Sequence, residues 1–351
     1  MYPEDKFIEK KSLIWRWVSE GFVPDKPGIS SYELGESYYN ELVNKSLIRE
    51  VEYDDGDGEG CRVHDMVLDL IRTMSMEVNF VTVQDTGENQ ITSSASGQGN
   101  RVHRLAFHGA KVKYDDSIKL GHVRSFNAIT CSNSGMPPLS IFRVLRVLVI
   151  EDFVRSENIS IKHLGKLVHL RYLGLVNTLV KLPKDIGHDL EFLEILDVRG
   201  GCISELPPSV SELQNLRCLW ADQYTRMKGE IGRLTCLEEL KLDQVEMVPN
   251  FFRELGKLTK LRVLEIWFGR LEEIACKVLA ETLLNLHKIR SLAILKSTKL
   301  EGVMDLCRSE SQVRVGSLEE LMPSPSLRTF WPQSIIITNI PSWINALSVP
   351  L

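Results

Sequence analysis

Long apolar runs are absent from this sequence of 351 residues. No window approaches the ~18 uninterrupted apolar residues that a membrane-spanning helix needs. Residues 1–11 are charged and contain no apolar core of the kind that a secretory signal requires. The sequence therefore predicts a cytoplasmic protein without a membrane span.

Paired cysteines are also missing. The seven cysteines are an odd number, are widely spread and form no C-x-x-C pair. This spacing argues against both a disulfide framework and a zinc ribbon. We expect the protein to work in a reducing compartment.

The sequence lacks an excess of positive charge. Lys and Arg number 42 against 47 Asp and Glu, a net charge of −5, so no global basic field favours nucleic acid or an anionic membrane. The charge is nevertheless uneven, because residues 1–85 hold nine Lys/Arg against eighteen Asp/Glu, whereas residues 86–351 hold 33 against 29. The two parts, at −9 and +4, are expected to attract one another.

Motifs for catalysis and metal binding are lacking as well. Neither the phosphate loop G-x-x-x-x-G-K-[ST] nor the nucleophile elbow G-x-S-x-G occurs. His64-Asp65 has no partner His or Asp at metal-ligand spacing, and the acidic turn 54–60 lacks the twelve-residue spacing of an EF-hand. We therefore expect no enzyme, no metal site and no catalytic residue.

What the sequence does contain is a repeat, L-x-x-L-x-x-L-x-L. The third apolar position of each copy recurs at spacings of 21 to 28 residues, which is the period of a leucine-rich repeat. These positions are Leu105, Phe126, Leu148, Leu173, Leu196, Leu219, Leu240, Leu264 and Leu292. Leu318, Leu321, Leu327 and Phe330 are interpreted as degenerate repeat positions.

The repeats predict a solenoid, a horseshoe with a parallel β-sheet on its concave face over residues 101–351. Each repeat contributes one strand, and its leucines stack on those of the neighbouring repeats. The rhythm of apolar residues between 272 and 286 predicts a helix on the convex side. No polar capping repeat follows near residue 351, so the domain is interpreted as incomplete at its C-terminus.

Side chains that flank the inward leucines are predicted to face the concave surface, because side chains alternate along a strand. Aromatic and arginine anchors are typical of protein-binding hot spots, and this surface is expected to carry two exposed tryptophans. The alternative is that these side chains pack against neighbouring repeats or another domain of the same polypeptide. The candidate protein-binding residues are Glu151, Tyr172, Asp197, Arg199, Trp220, Asp222, Glu239, Lys241, Asp243, Glu265 and Trp267.

Residues 1–85 predict a different domain, with helices over 9–21 and 31–45, a hairpin over 47–64 and a third helix over 65–76. The third helix is expected to bury Val67, Leu70, Ile71 and Met74. This order suggests a winged helix, followed by a polar linker over 86–100. The fold class is therefore α+β and α/β repeat: a small winged-helix domain and a leucine-rich-repeat solenoid.

DNA binding by this winged helix is disfavoured. The helix over 31–45 carries Glu33, Glu36 and Glu41 against Lys45 alone, and it would repel phosphates.

Two motifs resemble the nucleotide-binding leucine-rich-repeat disease-resistance proteins of plants, most closely the coiled-coil class of grasses. Residues 1–5 and 13–22, MYPED and LIWRWVSEGF, resemble the entry into the family's winged-helix subdomain. Val63-His64-Asp65 resembles the family's Met-His-Asp motif, with valine in place of methionine. The resemblance covers nearly the whole chain. The N-terminal motifs of the family, including its phosphate loop, would precede Met1, so the chain is interpreted as an N-terminally truncated fragment.

The resemblance implies a switch protein of plant immunity. In the family, ADP keeps the receptor closed, exchange to ATP permits oligomerisation, and the repeats sense a pathogen effector or a guarded host protein. By resemblance, His64 contacts the nucleotide phosphate and Asp65 is its structural partner. One hydrogen bond from an imidazole contributes at most ~3 kcal/mol of binding free energy, whereas micromolar affinity needs about 8 kcal/mol. We therefore expect this chain alone to bind no nucleotide, and we expect ADP or ATP to be bound by a full-length parent.

The implied function is the recognition and autoregulatory part of an intracellular immune receptor. Its expected partners are a protein effector or guarded host protein and the family's nucleotide-binding domain, with no DNA, no RNA and no membrane span. The alternative is a free-standing repeat scaffold that assembles other proteins without nucleotide switching.

Overall fold

The structure is a computed structural model of the 351-residue chain. Contacts divide the chain into two compact units, Met1–Thr178 and Leu179–Leu351, which are described separately. The structure describes residues 2–52, 58–78, 80–85, 102–110, 112, 114, 119–132, 135–153, 161–201, 203–222, 225–242, 249–268, 273–296, 313–315, 326–332 and 335–337.

The first unit opens with a small domain of three helices and three short strands. Its elements are β1 (Ile8–Glu9), α1 (Lys10–Glu20), α2 (Ser31–Asn44), β2 (Ile48–Glu52), β3 (Glu59–Val63) and α3 (Asp65–Glu77). The strands form an antiparallel sheet in the order β1-β3-β2. The order of two helices, a hairpin and a third helix is that of a winged helix, as the sequence predicts.

Local signals set the helix ends. Gly21 follows α1 with a φ of 83°, the left-handed conformation that favours glycine, and its N–H bonds to carbonyls of the last turn. Ser30 precedes α2 in a capping box with Glu33, whose side chain accepts from the Ser30 N–H. Trp15 and Tyr39 are fully buried in this domain and contribute its largest core side chains.

The third helix departs from the expected burial. Leu68 and Ser75 are the buried residues of α3, whereas Leu70, Ile71 and Met74 are 56%, 40% and 56% exposed. The periodicity that predicted this helix is correct, but the assigned inner face is wrong. The apolar side chains of α3 are too numerous for one buried face, so the pattern could not select the face that packs.

A parallel sheet completes the first unit. Its strands are β4 (Thr82–Asp85), β5 (Arg104–His108), β6 (Ser125–Ile129), β7 (Val147–Glu151) and β8 (Tyr172–Val176). Leu105, Phe126, Leu148 and Leu173 lie side by side in register, so the repeat positions predicted here are confirmed. Strand β4 lies inside the 1–85 range assigned to the winged helix, yet it pairs with β5 and belongs to the repeat sheet.

The second unit contains the remaining repeats. Its elements are α4 (Ile186–Asp189), β9 (Ile195–Asp197), β10 (Glu205–Leu206), β11 (Cys218–Trp220), β12 (Arg226–Met227), β13 (Glu239–Leu242), α5 (Pro249–Leu255), β14 (Val263–Phe268), α6 (Glu273–Asn285), β15 (Ser291–Lys296), β16 (Val313–Val315), β17 (Thr329–Pro332) and β18 (Ile335–Ile337). Strands β9, β11, β13, β14, β15 and β17 pair in parallel in that order.

Stacked leucines form the core of the second unit. Leu196, Leu219, Leu240, Leu264 and Leu292 occupy one register across its strands and are at most 5% exposed. Phe330 continues the row beside Leu292, which confirms that degenerate position. Helix α6 matches the helix predicted on the convex side. Leu318, Leu321 and the C-terminal end lie outside the described residues.

A close backbone approach joins two repeats at Gly187 in α4. A Cβ built on Gly187 would lie 1.7 Å from the carbonyl oxygen of Ser209, so both backbones must move to admit a side chain. We expect Gly187→Ala to lower the free energy of unfolding by about 1–3 kcal/mol, as for other overpacked sites. Chemical denaturation measures this change.

Gly256→Ala is the matched control, because its Cβ would meet its nearest neighbour at 3.4 Å. An equal loss of stability in both variants would contradict the close approach at Gly187.

Candidate functional site

Arg16 on α1 lies at the center of a contact between the winged helix and the first repeats. Its Nη1 donates to the Tyr2 hydroxyl at 2.6 Å, and its guanidinium carbon lies 5.4 Å and 5.5 Å from the ring centroids of Tyr2 and Tyr172. Nη2 lies 3.6 Å from Glu151 Oε2. The side chain is only 12% exposed, so this cation is stabilised by two aromatic faces and a carboxylate at low solvent exposure.

Lys6 adds a second cation to the same carboxylates. Its Nζ lies 2.8 Å from Glu151 and 2.5 Å from Asp152. Burial lowers the pKa of Lys6, but the two carboxylates outweigh burial and the net pKa is raised. Burial raises the pKa of Asp152, but hydrogen bonds from Lys6 and Asn177 outweigh burial and the net pKa is lowered. Glu151, which the sequence predicts to bind a partner protein, therefore binds the chain's own winged helix.

Arg104 of β5 makes the third contact. Its Nε lies 3.2 Å from Glu20 Oε2, and its guanidinium carbon lies 4.8 Å and 4.4 Å from the rings of Phe22 and Phe80. We call Lys6, Arg16, Glu20, Arg104, Glu151, Asp152 and Tyr172 the docking cluster. Opposite charges of the two parts do attract one another in this cluster. Two of its three cations, Lys6 and Arg16, nevertheless belong to the acidic winged helix, whereas the net charges predict that the repeats supply the cations.

A mainly apolar cavity of about 310 Å³ lies beside the docking cluster. Leu13, Trp17, Cys61, Leu68 and Val149 are among its lining residues. Burial raises the pKa of the Cys61 thiol to about 11, so this cysteine is a poor nucleophile at neutral pH. Cys61 also packs in the core of the winged helix with Ile14 and Tyr39, so its reactivity reports opening of that core as well as loosening of the cavity wall shared with the repeats.

The docking contact has a defined pH window. Asp152, with a lowered pKa, stabilises the contact above its ordinary value of 3.8 and loses that contribution as the pH falls through the folded-state pKa. Lys6, with a raised pKa, contributes below 10.5 and loses that contribution as the pH rises through its folded-state pKa. We expect the difference in thermal midpoint between the wild type and Asp152→Asn to stay constant between about pH 5 and 9 and to vanish in acid. A difference that changes near pH 7 would contradict this assignment.

His64 is exposed and caps the N-terminus of α3. The Met66 N–H donates to His64 Nδ1 at 3.4 Å. In the neutral ring, an acceptor Nδ1 places the proton on Nε2, so the ring can donate a hydrogen bond to an anionic oxygen. Asp65 occupies the first turn, where a carboxylate interacts favourably with the helix dipole.

The concave face of the second unit is more buried than expected. Asp197 is fully buried and accepts two hydrogen bonds from the Arg199 guanidinium, at 2.9 Å and 2.8 Å, and a third from the Arg199 backbone N–H at 3.3 Å. Arg199 in turn lies 4.9 Å from the centroid of the Trp220 ring, and Trp220 is only 4% exposed. The expectation that Trp220 is an exposed anchor is wrong, because the Arg199 side chain and the neighbouring strands cover it.

Trp267 remains partly accessible. Lys241 lies over its ring at 4.9 Å and pairs with Glu265 on the adjacent strand at 2.9 Å. Asp222 is half-buried and accepts from the Gly201 N–H at 2.8 Å, and burial raises its pKa. Glu239 in the second unit and Tyr172 in the first unit are both buried, so neither side chain is exposed for binding a partner. Asp243 lies outside the described residues.

Sequence reasoning selected Glu151 and Tyr172 but missed Lys6, Arg16, Glu20 and Arg104. Arg16 and Glu20 lie four positions apart on α1, but Lys6 precedes β1 and Arg104 lies in β5, and no spacing rule joins all four. Among the described residues, no group of His, Cys, Asp and Glu has a geometry that could hold a metal. The described helices include none long and apolar enough to cross a membrane.

The fold and these sites define a winged helix docked on leucine-rich repeats, and comparisons with known proteins agree. The family profile described as "Leucine-rich repeat region" matches residues 122–351, and the one described as "Disease resistance protein Winged helix domain" matches residues 1–71. The chain belongs to the plant disease-resistance proteins of the nucleotide-binding leucine-rich-repeat type.

Three curated relatives from Oryza sativa subsp. japonica are similar to the chain. Disease resistance protein PIK6-NP is 33% identical over 65% of this chain and 22% of its own length. Disease resistance protein RGA5 is 27% identical over 99% of this chain and 30% of its own length. Disease resistance protein RGA4 is 29% identical over 76% of this chain and 27% of its own length. The chain thus spans under a third of the length of these relatives.

Proposed function

We propose that this chain is the recognition and autoregulatory part of an intracellular plant immune receptor. The observation that carries the proposal is the docking cluster, in which Arg16 and Lys6 of a disease-resistance winged helix bind Glu151 of the first repeats. A receptor that restrains itself needs such a contact between its switch domain and its sensor.

His64 supplies the proposed link to nucleotide. Its ring is exposed at the start of α3, where an Nε2–H donor can reach a phosphate held by a nucleotide-binding domain. ADP or ATP would be held by the full-length parent, and this chain alone would hold neither. The chain is proposed not to be an enzyme, and neither DNA nor RNA is a proposed partner.

The repeats would recognise a pathogen effector or a guarded host protein. Lys241, Glu265 and Trp267 provide the proposed anchor on the second unit, because a partly accessible indole between paired charges offers both apolar contact and hydrogen bonds. We expect Trp267→Ala to weaken binding of an identified protein ligand by about tenfold or more. Binding by calorimetry tests this, and unchanged affinity would contradict the assignment.

The switch is tested in the full-length parent with His64→Ala. We expect defence signalling without a pathogen and faster release of bound ADP, since one phosphate contact is lost. Arg62→Ala, an exposed neighbour on β3, is the control and should leave both unchanged. Normal ADP retention and silence in His64→Ala would favour a repeat scaffold without nucleotide switching.

A further inference from the structure

The cavity beside the docking cluster has the size of a small-molecule site. Its volume of about 310 Å³ is roughly twice the ~150 Å³ of an apolar cavity that holds benzene. Protein interiors otherwise contain few voids larger than a water molecule, and pockets for small ligands begin at about 300 Å³. The cavity is therefore larger than an ordinary packing void and has room for a molecule of about two fused rings.

The mouth of the cavity is apolar and reaches solvent. Phe22, Ile71 and Phe80 line the cavity, yet these residues are 42%, 40% and 42% exposed. The rings of Phe22 and Phe80 are stacked at an interplanar angle of 26°, with their centroids 5.9 Å apart. Because these exposed side chains belong to the cavity wall, a ligand can enter from solvent without opening the core of either domain.

Aromatic residues are frequent in the cavity wall. Tyr2 and Trp17 line the cavity together with Phe22 and Phe80. Aromatic rings form favourable offset-stacked or edge-to-face contacts with other rings, and the planar guanidinium of Arg104 can stack on a ring in the same way. The wall therefore favours an aromatic ligand over an aliphatic ligand of the same volume.

The charged groups of the wall determine the polar part of the ligand. Lys6, Arg16 and Arg104 are hydrogen-bond donors, and Glu20 is the only carboxylate among the described residues that line the cavity. We therefore expect the ligand to carry an acceptor oxygen. The three cations of the docking cluster are balanced by its three carboxylates. A charged ligand would upset this balance at low solvent exposure, so we expect a neutral one.

We propose that this cavity binds a neutral aromatic molecule of about two fused rings with one carbonyl oxygen, and that the bound molecule holds the winged helix on the first repeats. Leu68 and Ile71 line the cavity from α3, and Val147 and Val149 line it from β7, so the ligand contacts both domains. A ligand that needs both walls stabilises the docked arrangement by mass action. The inference goes beyond the receptor function proposed above and does not depend on it.

Calorimetric titration of the full chain with methyl naphthyl ketone tests the site. We expect saturable binding of one molecule per chain with a dissociation constant below about 100 µM, which is an ordinary affinity for a ligand of this size. Naphthalene lacks the acceptor oxygen and naphthoate adds a charge, so each should bind more weakly by about tenfold or more. The thermal midpoint of the chain should rise with the concentration of the ketone.

Two substitutions on α3 locate the site. Ile71→Trp places a larger side chain at the mouth and should weaken binding of the ketone by about tenfold or more. Leu70→Trp is the matched control, because Leu70 is also exposed but is not a lining residue, and it should bind like the wild type. Glu151→Ala removes a docking carboxylate that does not line the cavity, and it should weaken binding by about fivefold or more if docking and binding are coupled.

Circular dichroism establishes that each variant is folded. A wild-type chain that shows no saturable binding of the ketone would overturn the proposal, as would equal affinities of Ile71→Trp and Leu70→Trp. Naphthalene or naphthoate binding as tightly as the ketone would overturn the assigned class of ligand. Unchanged affinity in Glu151→Ala would overturn the coupling between the ligand and docking.

Discussion

Arg16→Ala is expected to lower the free energy of unfolding of the first unit by about 2–4 kcal/mol and to loosen the winged helix from the repeats. The substitution removes the hydrogen bond to Tyr2, two cation–π contacts and the ion pair with Glu151 in one step. These interactions are strong because the guanidinium is nearly buried, where water screens charge weakly.

The reactivity of Cys61 gives an independent readout of the same change. Cys61 lines the cavity beside the docking cluster and is fully buried, so alkylation at neutral pH should be slow in the wild type and faster in Arg16→Ala. Arg16→Lys should lie between the two, since an ammonium keeps the charge but not the planar stacking on tyrosine. Arg49→Ala, at an exposed position of β2, is the control. Wild-type stability and wild-type Cys61 reactivity in Arg16→Ala would contradict the docking cluster.

Trp220→Ala is expected to destabilise the second unit by about 3–5 kcal/mol, the usual cost of deleting a large core side chain. Trp220 is 4% exposed, and its ring supports Arg199, which in turn neutralises the fully buried Asp197. Removing the indole leaves a cavity and weakens the support of a buried ion pair. Chemical denaturation measures the loss.

Trp267→Ala is the informative comparison, because its ring is only partly buried and its stability cost should stay below about 1 kcal/mol. Trp220→Phe should recover much of the stability lost in Trp220→Ala. Equal costs at positions 220 and 267 would contradict the difference in burial. A binding defect in Trp220→Ala would reflect lost folding, so Trp267 is the position at which to test recognition.

The repeat architecture was predictable because its signal is periodic. Leu148, Leu173 and Leu240 recur at one phase, and a solenoid places such residues in one register. The winged-helix elements were predictable from caps such as Gly21. The family motif at Val63-His64-Asp65 identified the domain, although the nucleotide contact of His64 stays a prediction.

The docking cluster could not be predicted for a physical reason. Lys6 and Glu151 are 145 positions apart, and a pairing at this distance depends on how two domains pack. The net charges correctly predicted that the two parts attract one another, but they wrongly predicted that the repeats supply the positive charges. At short range, the few residues in contact outweigh the net charge of the whole domain. Trp220 was misassigned for a related reason: alternation places it on the concave face, but neighbouring side chains decide its exposure.

The central claim is that the docked winged helix restrains the receptor. The most direct measurement is defence signalling by the full-length parent carrying Arg16→Ala, Glu151→Ala or both, without a pathogen. We expect each single variant to signal, and the double variant to signal no more strongly than the stronger single, because both break the same contact. Silence of all three variants at normal protein levels, together with loosened docking measured through Cys61, would contradict the claim.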